Sequence, residues 1–145
     1  MGDQAKPWID GLTFTQALRQ TVCRHGERDA VVFPQLDLRW SYKQFEHEVK
    51  RFTRALIALG VQPGDHVGIW STNWPHYILA QFGTAMIGAV LVNVNPAYRV
   101  HELTYVLGQA DISVLLATDT FKTSNYELML AQSIEELGEV SYGAP

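Results

Sequence analysis

The sequence has 145 residues, 47% of them hydrophobic and 18% charged, with a formal net charge of -4. That length suits one domain, able to bury roughly 70% of the surface its unfolded chain exposes, and the composition excludes a disordered chain. The basic residues read as scattered along the chain, which excludes an electrostatic footprint for nucleic acid.

A single cysteine, Cys23, excludes an intramolecular disulfide and favours a reducing compartment. Residues 1–10 carry Asp3, Lys6 and Asp10 and no apolar run, so they resemble neither a secretory signal nor an Arg-rich presequence. The expected location is cytoplasmic, or the mitochondrial matrix if a presequence has been lost. From Val67 to Tyr98 there is no Asp, Glu, Lys or Arg. Its most apolar part, Ile78 to Val92, is shorter than a bilayer span and contains Gly83 and Gly88, so it reads as a buried helix and strand and no transmembrane span is expected.

Residues 1–12 read as a tail. A helix is expected from Thr13, because Thr13 and Gln16 have capping-box spacing and Phe14, Leu18 and Val22 recur at helical intervals. Ala30–Phe33 and Leu38–Trp40 read as two strands of a hairpin around residues 34–37. Ser41 and Gln44 have the same capping spacing, and Phe45, Val49, Phe52, Leu56 and Leu59 mark one face of the next helix. Gly60 is placed as its left-handed cap. Together these make a helix–hairpin–helix unit over 13–65.

Residues 66–119 read as a βαβαβ unit. His66–Trp70 is a strand, and Asn73 or Trp74 caps a helix with Pro75 at its first position and Gly88 at its end. Ala89–Val94 and Ile112–Leu116 are apolar runs read as central parallel strands buried on both faces. Between them a helix is expected over Val100–Gln109, with Leu103, Val106 and Leu107 inward. Residues 120–145 read as one more helix, Tyr126–Leu137 with Leu130, Ile134 and Leu137 on a face, then a loop cut open at Gly143-Ala144-Pro145. The expected fold is α/β: a partial doubly wound, mainly parallel sheet with flanking helices.

Several stretches carry a resemblance. They are Leu59-Gly60-Val61-Gln62-Pro63-Gly64-Asp65 with the strand after it, Asn73, and Ala80-Gln81-Phe82-Gly83-Thr84-Ala85. Gly88-Ala89-Val90-Leu91-Val92, Asn95-Pro96-Ala97-Tyr98-Arg99, Glu102-Leu103 and Tyr105-Val106-Leu107 follow in order. The ordered set, running from about Thr13 to Leu130, resembles the N-terminal part of the large domain of adenylate-forming (AMP-binding) acyl-CoA synthetases. Asn95–Arg99 and Phe121-Lys122-Thr123-Ser124 are most similar to the fatty-acyl-CoA synthetase branch.

The resemblance implies a ligase that joins ATP and a carboxylic acid, a fatty acid above all, into an acyl-adenylate and pyrophosphate. Coenzyme A then takes the acyl group, with Mg²⁺ neutralising phosphate charge. The family's phosphate loop, aromatic-Thr-Glu motif, ribose Asp and C-terminal lysine have no counterpart in the sequence. No catalytic, cofactor-binding or metal-binding residue is therefore assigned. The chain is expected to be a fragment that binds none of ATP, Mg²⁺ or coenzyme A alone, needs the remainder of the synthetase fold, and self-associates when isolated. The alternative reading is a stand-alone α/β binding or interaction module without catalysis.

Local candidates carry two readings each. Gly60 and Gly64 read as a helix cap and a turn, since no Gly-x-x-x-x-Gly-Lys-Ser/Thr or Gly-x-Gly-x-x-Gly is present. Cys23 with His25 reads as a packed or half-exposed thiol and not a nucleophile, because residues two apart on a helix do not face each other. His25, His47, His66, His76 and His101 lack close ligand spacing. Trp70, Trp74, Tyr77 and Phe82 read as core ahead of an acyl-pocket wall. Arg99, His101 and Glu102 leave a strand end, where α/β ligand sites lie, and read first as a solvated helix start.

Overall fold

The computed structural model describes residues 11–138, so the readings of residues 1–10 and of the loop at 143–145 lie outside the described residues. Helix α1 (Phe14–His25) opens on the Thr13/Gln16 capping box. Strands β1 (Asp29–Phe33) and β2 (Leu38–Ser41) pair antiparallel around a short 3₁₀ turn at Pro34–Leu36. Asp37 closes that turn in the left-handed region.

Helix α2 (Tyr42–Ala58) opens on the Ser41/Gln44 capping box and buries Phe45, Val49, Thr53 and Leu56. Leu59, assigned above to that buried face, lies past the last helical turn and is 64% exposed. Thr53 sits on the buried stripe instead, its hydroxyl donating to the Val49 carbonyl at 2.8 Å.

Strand β3 (His66–Trp70), α3 (Pro75–Ile87), β4 (Val90–Val94), α4 (Val100–Gln109) and β5 (Ile112–Ala117) follow. The sheet is parallel in the order β4-β3-β5. That order corrects the expectation of two central, doubly buried strands. His66–Trp70 is the central strand, and both apolar runs are edges. Val90 and Asn93 on β4, and Ser113 and Ala117 on β5, are exposed, because each edge strand has one neighbour among the described residues. The parallel pairing itself stands.

A second hairpin, β6 (Thr120–Phe121) and β7 (Ser124–Asn125), precedes α5 (Tyr126–Leu137). The sequence reading placed no strand there. The buried stripe of α5 also differs from the expected one: Tyr126, Met129 and Ser133 are buried, while Leu130, Ile134 and Leu137 are half-buried.

The chain leaves β3 toward β4 and then crosses back over β3 to β5. Crossovers of one hand taken in opposite directions put their helices on opposite faces. Accordingly, Leu56, Val61 and Val67 form a core on the α2–α3 side. Trp70, Val94, Leu103, Tyr126 and Met129 form another on the α4–α5 side. A third, outermost core joins α1, the first hairpin, α2 and α3 through Leu18, Val31, Phe45, Val49 and Leu79.

Candidate functional site

In open α/β sheets, ligands bind beyond the carboxyl ends of the strands, where the direction of winding reverses. Here that point lies between β3 and β5. Residues leaving β3, Ser71, Trp74 and His76, face residues leaving β5, Thr118, Asp119 and Thr120, across an open hollow of about 690 Å³. Its floor is apolar: Phe52 reaches up from α2 beside Ile69 and Leu116. Trp74 precedes Pro75, which starts α3 where the missing N–H is not needed.

A smaller hollow of about 420 Å³ lies between the ends of β3 and β4, walled by Asn73, Tyr77, Asn93 and Asn95. The turn after β4 is held from several sides. Asn95 accepts from the Ala97 N–H through its side chain at 2.9 Å, and its carbonyl accepts from the Trp70 indole at 3.1 Å. The Tyr126 hydroxyl donates to the Pro96 carbonyl at 2.6 Å. The Arg99 guanidinium donates to the hydroxyl of buried Ser124 at 3.0 Å. The Arg99 backbone N–H donates to the Glu102 carboxylate at 3.0 Å, which closes the start of α4.

The aromatic candidates do not share one wall. Trp70 is buried on the α4–α5 side, stacked on Tyr126. Phe82 is packed edge-on against Phe14 and Phe45 on the opposite side of the sheet. Trp74 borders the larger hollow and Tyr77 the smaller one. Arg99 and Glu102 together start α4, while His101 is exposed. Cys23 is exposed on α1, more open than the packed or half-exposed thiol expected. Gly60 and Gly64 both have positive φ, as a cap and a turn require. His66 sits against the Ala110 carbonyl, 2.6 Å from its Nδ1. Among the described residues no three of His, Cys, Asp and Glu gather to hold a metal.

Sequence reasoning missed Tyr126, Ser124 and Asp119. Tyr126 was visible only as the first residue of a helix, and nothing local signals that its ring reaches Trp70.

The lining of the larger hollow has no Lys, no Arg and no Gly, and its titratable residues are His76 and Asp119. A nucleotide phosphate needs cations or converging backbone N–H groups. The hollow lacks the Lys and Arg that would hold the phosphates of ATP.

A family model described as AMP-binding enzyme matches residues 18–142. The chain belongs to the AMP-binding enzyme family. It is 39% identical to YngI of Bacillus subtilis, assigned as an acyl-CoA synthetase, over 90% of this chain and 24% of that protein. It is 35% identical to the human mitochondrial medium-chain acyl-CoA ligase ACSF2, over 96% of this chain and 23% of that protein. A crystal structure assigned as a long-chain-fatty-acid CoA ligase of Rhodopseudomonas palustris superposes with a TM-score of 0.76. It is 28% identical and covers 88% of this chain and 30% of that one. The chain thus spans about a quarter of the length of the curated family members it matches. No helix among the described residues is long and apolar enough to cross a membrane.

Proposed function

We propose that this chain is the N-terminal scaffold of an AMP-forming acyl-CoA synthetase whose acid substrate is a fatty acid. The whole enzyme would convert ATP, fatty acid and coenzyme A into acyl-CoA, AMP and pyrophosphate through an acyl-adenylate. The observation that carries the reading is the match to acyl-CoA synthetases over nine-tenths of this chain but a quarter of their length. The similarity to the R. palustris long-chain-fatty-acid CoA ligase, and to ACSF2 as a medium-chain acyl-CoA ligase, supports a fatty acid as the acid.

In this reading the chain contributes no catalytic, cofactor-binding or metal-binding residue. ATP, Mg²⁺ and coenzyme A are held by polypeptide outside it, in keeping with the absence of Lys and Arg from the lining of the switch-point hollow. What the chain contributes is rigid placement of the strand ends, which the rest of the synthetase uses. The edges of β4 and β5, each without a second neighbour among the described residues, are the seats expected for that remainder. The compartment proposed is the cytoplasm. The mitochondrial matrix is the alternative, supported by the similarity to ACSF2, a mitochondrial protein.

The experiment is fatty-acid-dependent ATP–pyrophosphate exchange, measured on the purified 145-residue chain and on the polypeptide encoded when the reading frame is followed past Pro145. The chain alone should match a protein-free blank, and the extended polypeptide should exchange. Exchange by the chain alone overturns the scaffold reading. A stop codon directly after Pro145 favours the stand-alone binding module instead.

A further inference from the structure

The basic residues that read as scattered in the sequence gather on one side of the folded chain. Residues 19–54 hold eight Lys and Arg against five Asp and Glu, whereas residues 100–137 hold one against six. The first group lies on α1, the first hairpin and α2, and the second on α4, β5, the second hairpin and α5. The cores place these groups on opposite faces of the parallel sheet.

On α2 the cationic residues recur at helical spacing: Lys43, His47, Lys50 and Arg54 form one stripe with Arg51 beside it. Three of them have ion-pair partners: Lys43 pairs with Glu27 outside the helix, and Lys50 and Arg51 pair within it, where the cation is the more exposed member. The Lys50 side chain is 43% exposed and its partner Glu46 only 16%. Arg51 is 71% exposed and its partner Glu48 only 20%. In those two pairs the carboxylate lies inward and the cation outward, while in the Lys43–Glu27 pair both side chains are exposed.

Each charged side also carries large apolar residues in solvent. Ile57 and Leu59 are exposed at the end of α2. Tyr105 on α4 and Leu128 on α5 are exposed on the acidic side, as are Glu102, Glu127 and Glu135. Charge of one sign with two exposed apolar anchors on one face is matched by the opposite sign with two anchors on the other.

We infer that the α2 face and the α4–α5 face are complementary surfaces through which a second copy of this chain docks head to tail. The occupant is this same chain because it supplies both halves of the match. Since the two faces lie on opposite sides of the sheet, the contact is heterologous and each added copy leaves one face of each kind free. The contact is electrostatic in its steering and is weakened by salt, because the screening length falls from about 30 Å at 0.01 M to about 3 Å at 1 M. This inference is independent of the ligase reading.

Sedimentation velocity on the 145-residue chain tests it, at about 0.02 M and about 0.5 M salt. At low salt the weight-average mass should rise with concentration to about twice the 16.3 kDa of one chain or more. At high salt it should return to one chain. The double variants Arg51→Glu/Arg54→Glu and Glu127→Lys/Glu135→Lys should each be monomeric at low salt, with unchanged circular dichroism. Mixing the two should restore association, since each then presents to the other the charge it lacks. A chain that is monomeric at low salt at every concentration overturns the inference. So does assembly that survives both salt and charge reversal, which would place the contact at the β4 or β5 edge.

Discussion

Trp70 and Tyr126 stack face to face, with ring centroids 3.6 Å apart and planes 2° from parallel. Trp70 ends the central strand and Tyr126 begins the last helix, so this pair joins the sheet to α5. Each ring also donates to the turn after β4: the indole to the Asn95 carbonyl and the phenol to the Pro96 carbonyl. Removing only the phenol hydroxyl, Tyr126→Phe, should cost about 1 kcal/mol, because one buried hydrogen bond is lost and the stack is kept. Tyr126→Ala removes ring and hydroxyl and should cost about 3–5 kcal/mol. Urea unfolding followed by far-UV circular dichroism measures both, and equal costs for the two variants would show that the stack contributes nothing.

The same burial sets a pH dependence. Desolvation raises the Tyr126 phenol above its ordinary value of 10.0, so the folded state holds this proton more tightly than the unfolded state does. The stability linked to Tyr126 is therefore fully present below about pH 10 and is lost as pH rises through the raised folded value. Above about pH 10 the unfolding midpoint of the parent chain should fall more steeply than that of Tyr126→Phe, which lacks the titrating group. Parallel slopes for the two proteins would assign the alkaline loss to other tyrosines and lysines.

Strand burial separates what a sequence shows from what topology decides. Ala89–Val94 and Ile112–Leu116 have the uninterrupted apolar character of buried strands, and they do form the parallel sheet. Which strand lies in the middle depends on the crossover back over β3, and hydropathy carries no signal for that. Truncations report the difference. Val67 on the central strand is fully buried, while Val92 on β4 is half-buried. Val67→Ala should cost about 2 kcal/mol or more and Val92→Ala about 1 kcal/mol or less, by scaling with the apolar area removed from water. The reverse ranking in denaturant unfolding would mean that β4 is covered on its outer side in solution.

Helix starts were legible because their signals are local. Thr13 with Gln16, and Ser41 with Gln44, are three residues apart and close their boxes as spaced. Pro75 at the first position and Gly88 just past the end mark α3 in the same way. The site was far less legible. Trp70 and Tyr126 meet only because two crossovers and a hairpin separate them, and the buried stripe of α5 escaped notice because Ser133, at its centre, is polar. The Ser133 hydroxyl satisfies itself on the Met129 carbonyl at 2.9 Å, which lets a small polar residue occupy a core position. The charge imbalance between residues 19–54 and 100–137 is countable in the sequence, but only the fold carries α2 and α5 to opposite faces of the sheet.

Two glycines of α3 are required for different reasons, and substitution distinguishes them. Gly88 ends the helix at φ 76°, and a Cβ there would meet nothing nearer than the Pro63 Cβ at 3.6 Å. The obstacle is backbone strain alone, so Gly88→Ala should cost about 1–2 kcal/mol. Gly88→Asn should cost less, because Asn tolerates the left-handed region. Gly83 has ordinary helical backbone, but a Cβ there would lie 2.9 Å from the Phe52 ring. The obstacle is steric, where α3 crosses α2, so Gly83→Ala should cost about 1–3 kcal/mol. Shortening the opposing side chain should relieve it: Phe52→Leu combined with Gly83→Ala should be less destabilising than the sum of the two single changes. The same Phe52→Leu change should add to Gly88→Ala without relief, since within 4 Å a Cβ at Gly88 would meet Pro63 and not Phe52. Additivity in both pairs, measured by denaturant unfolding, would mean that α2 and α3 separate freely enough to absorb the methyl group and that Gly83 is not needed for their approach.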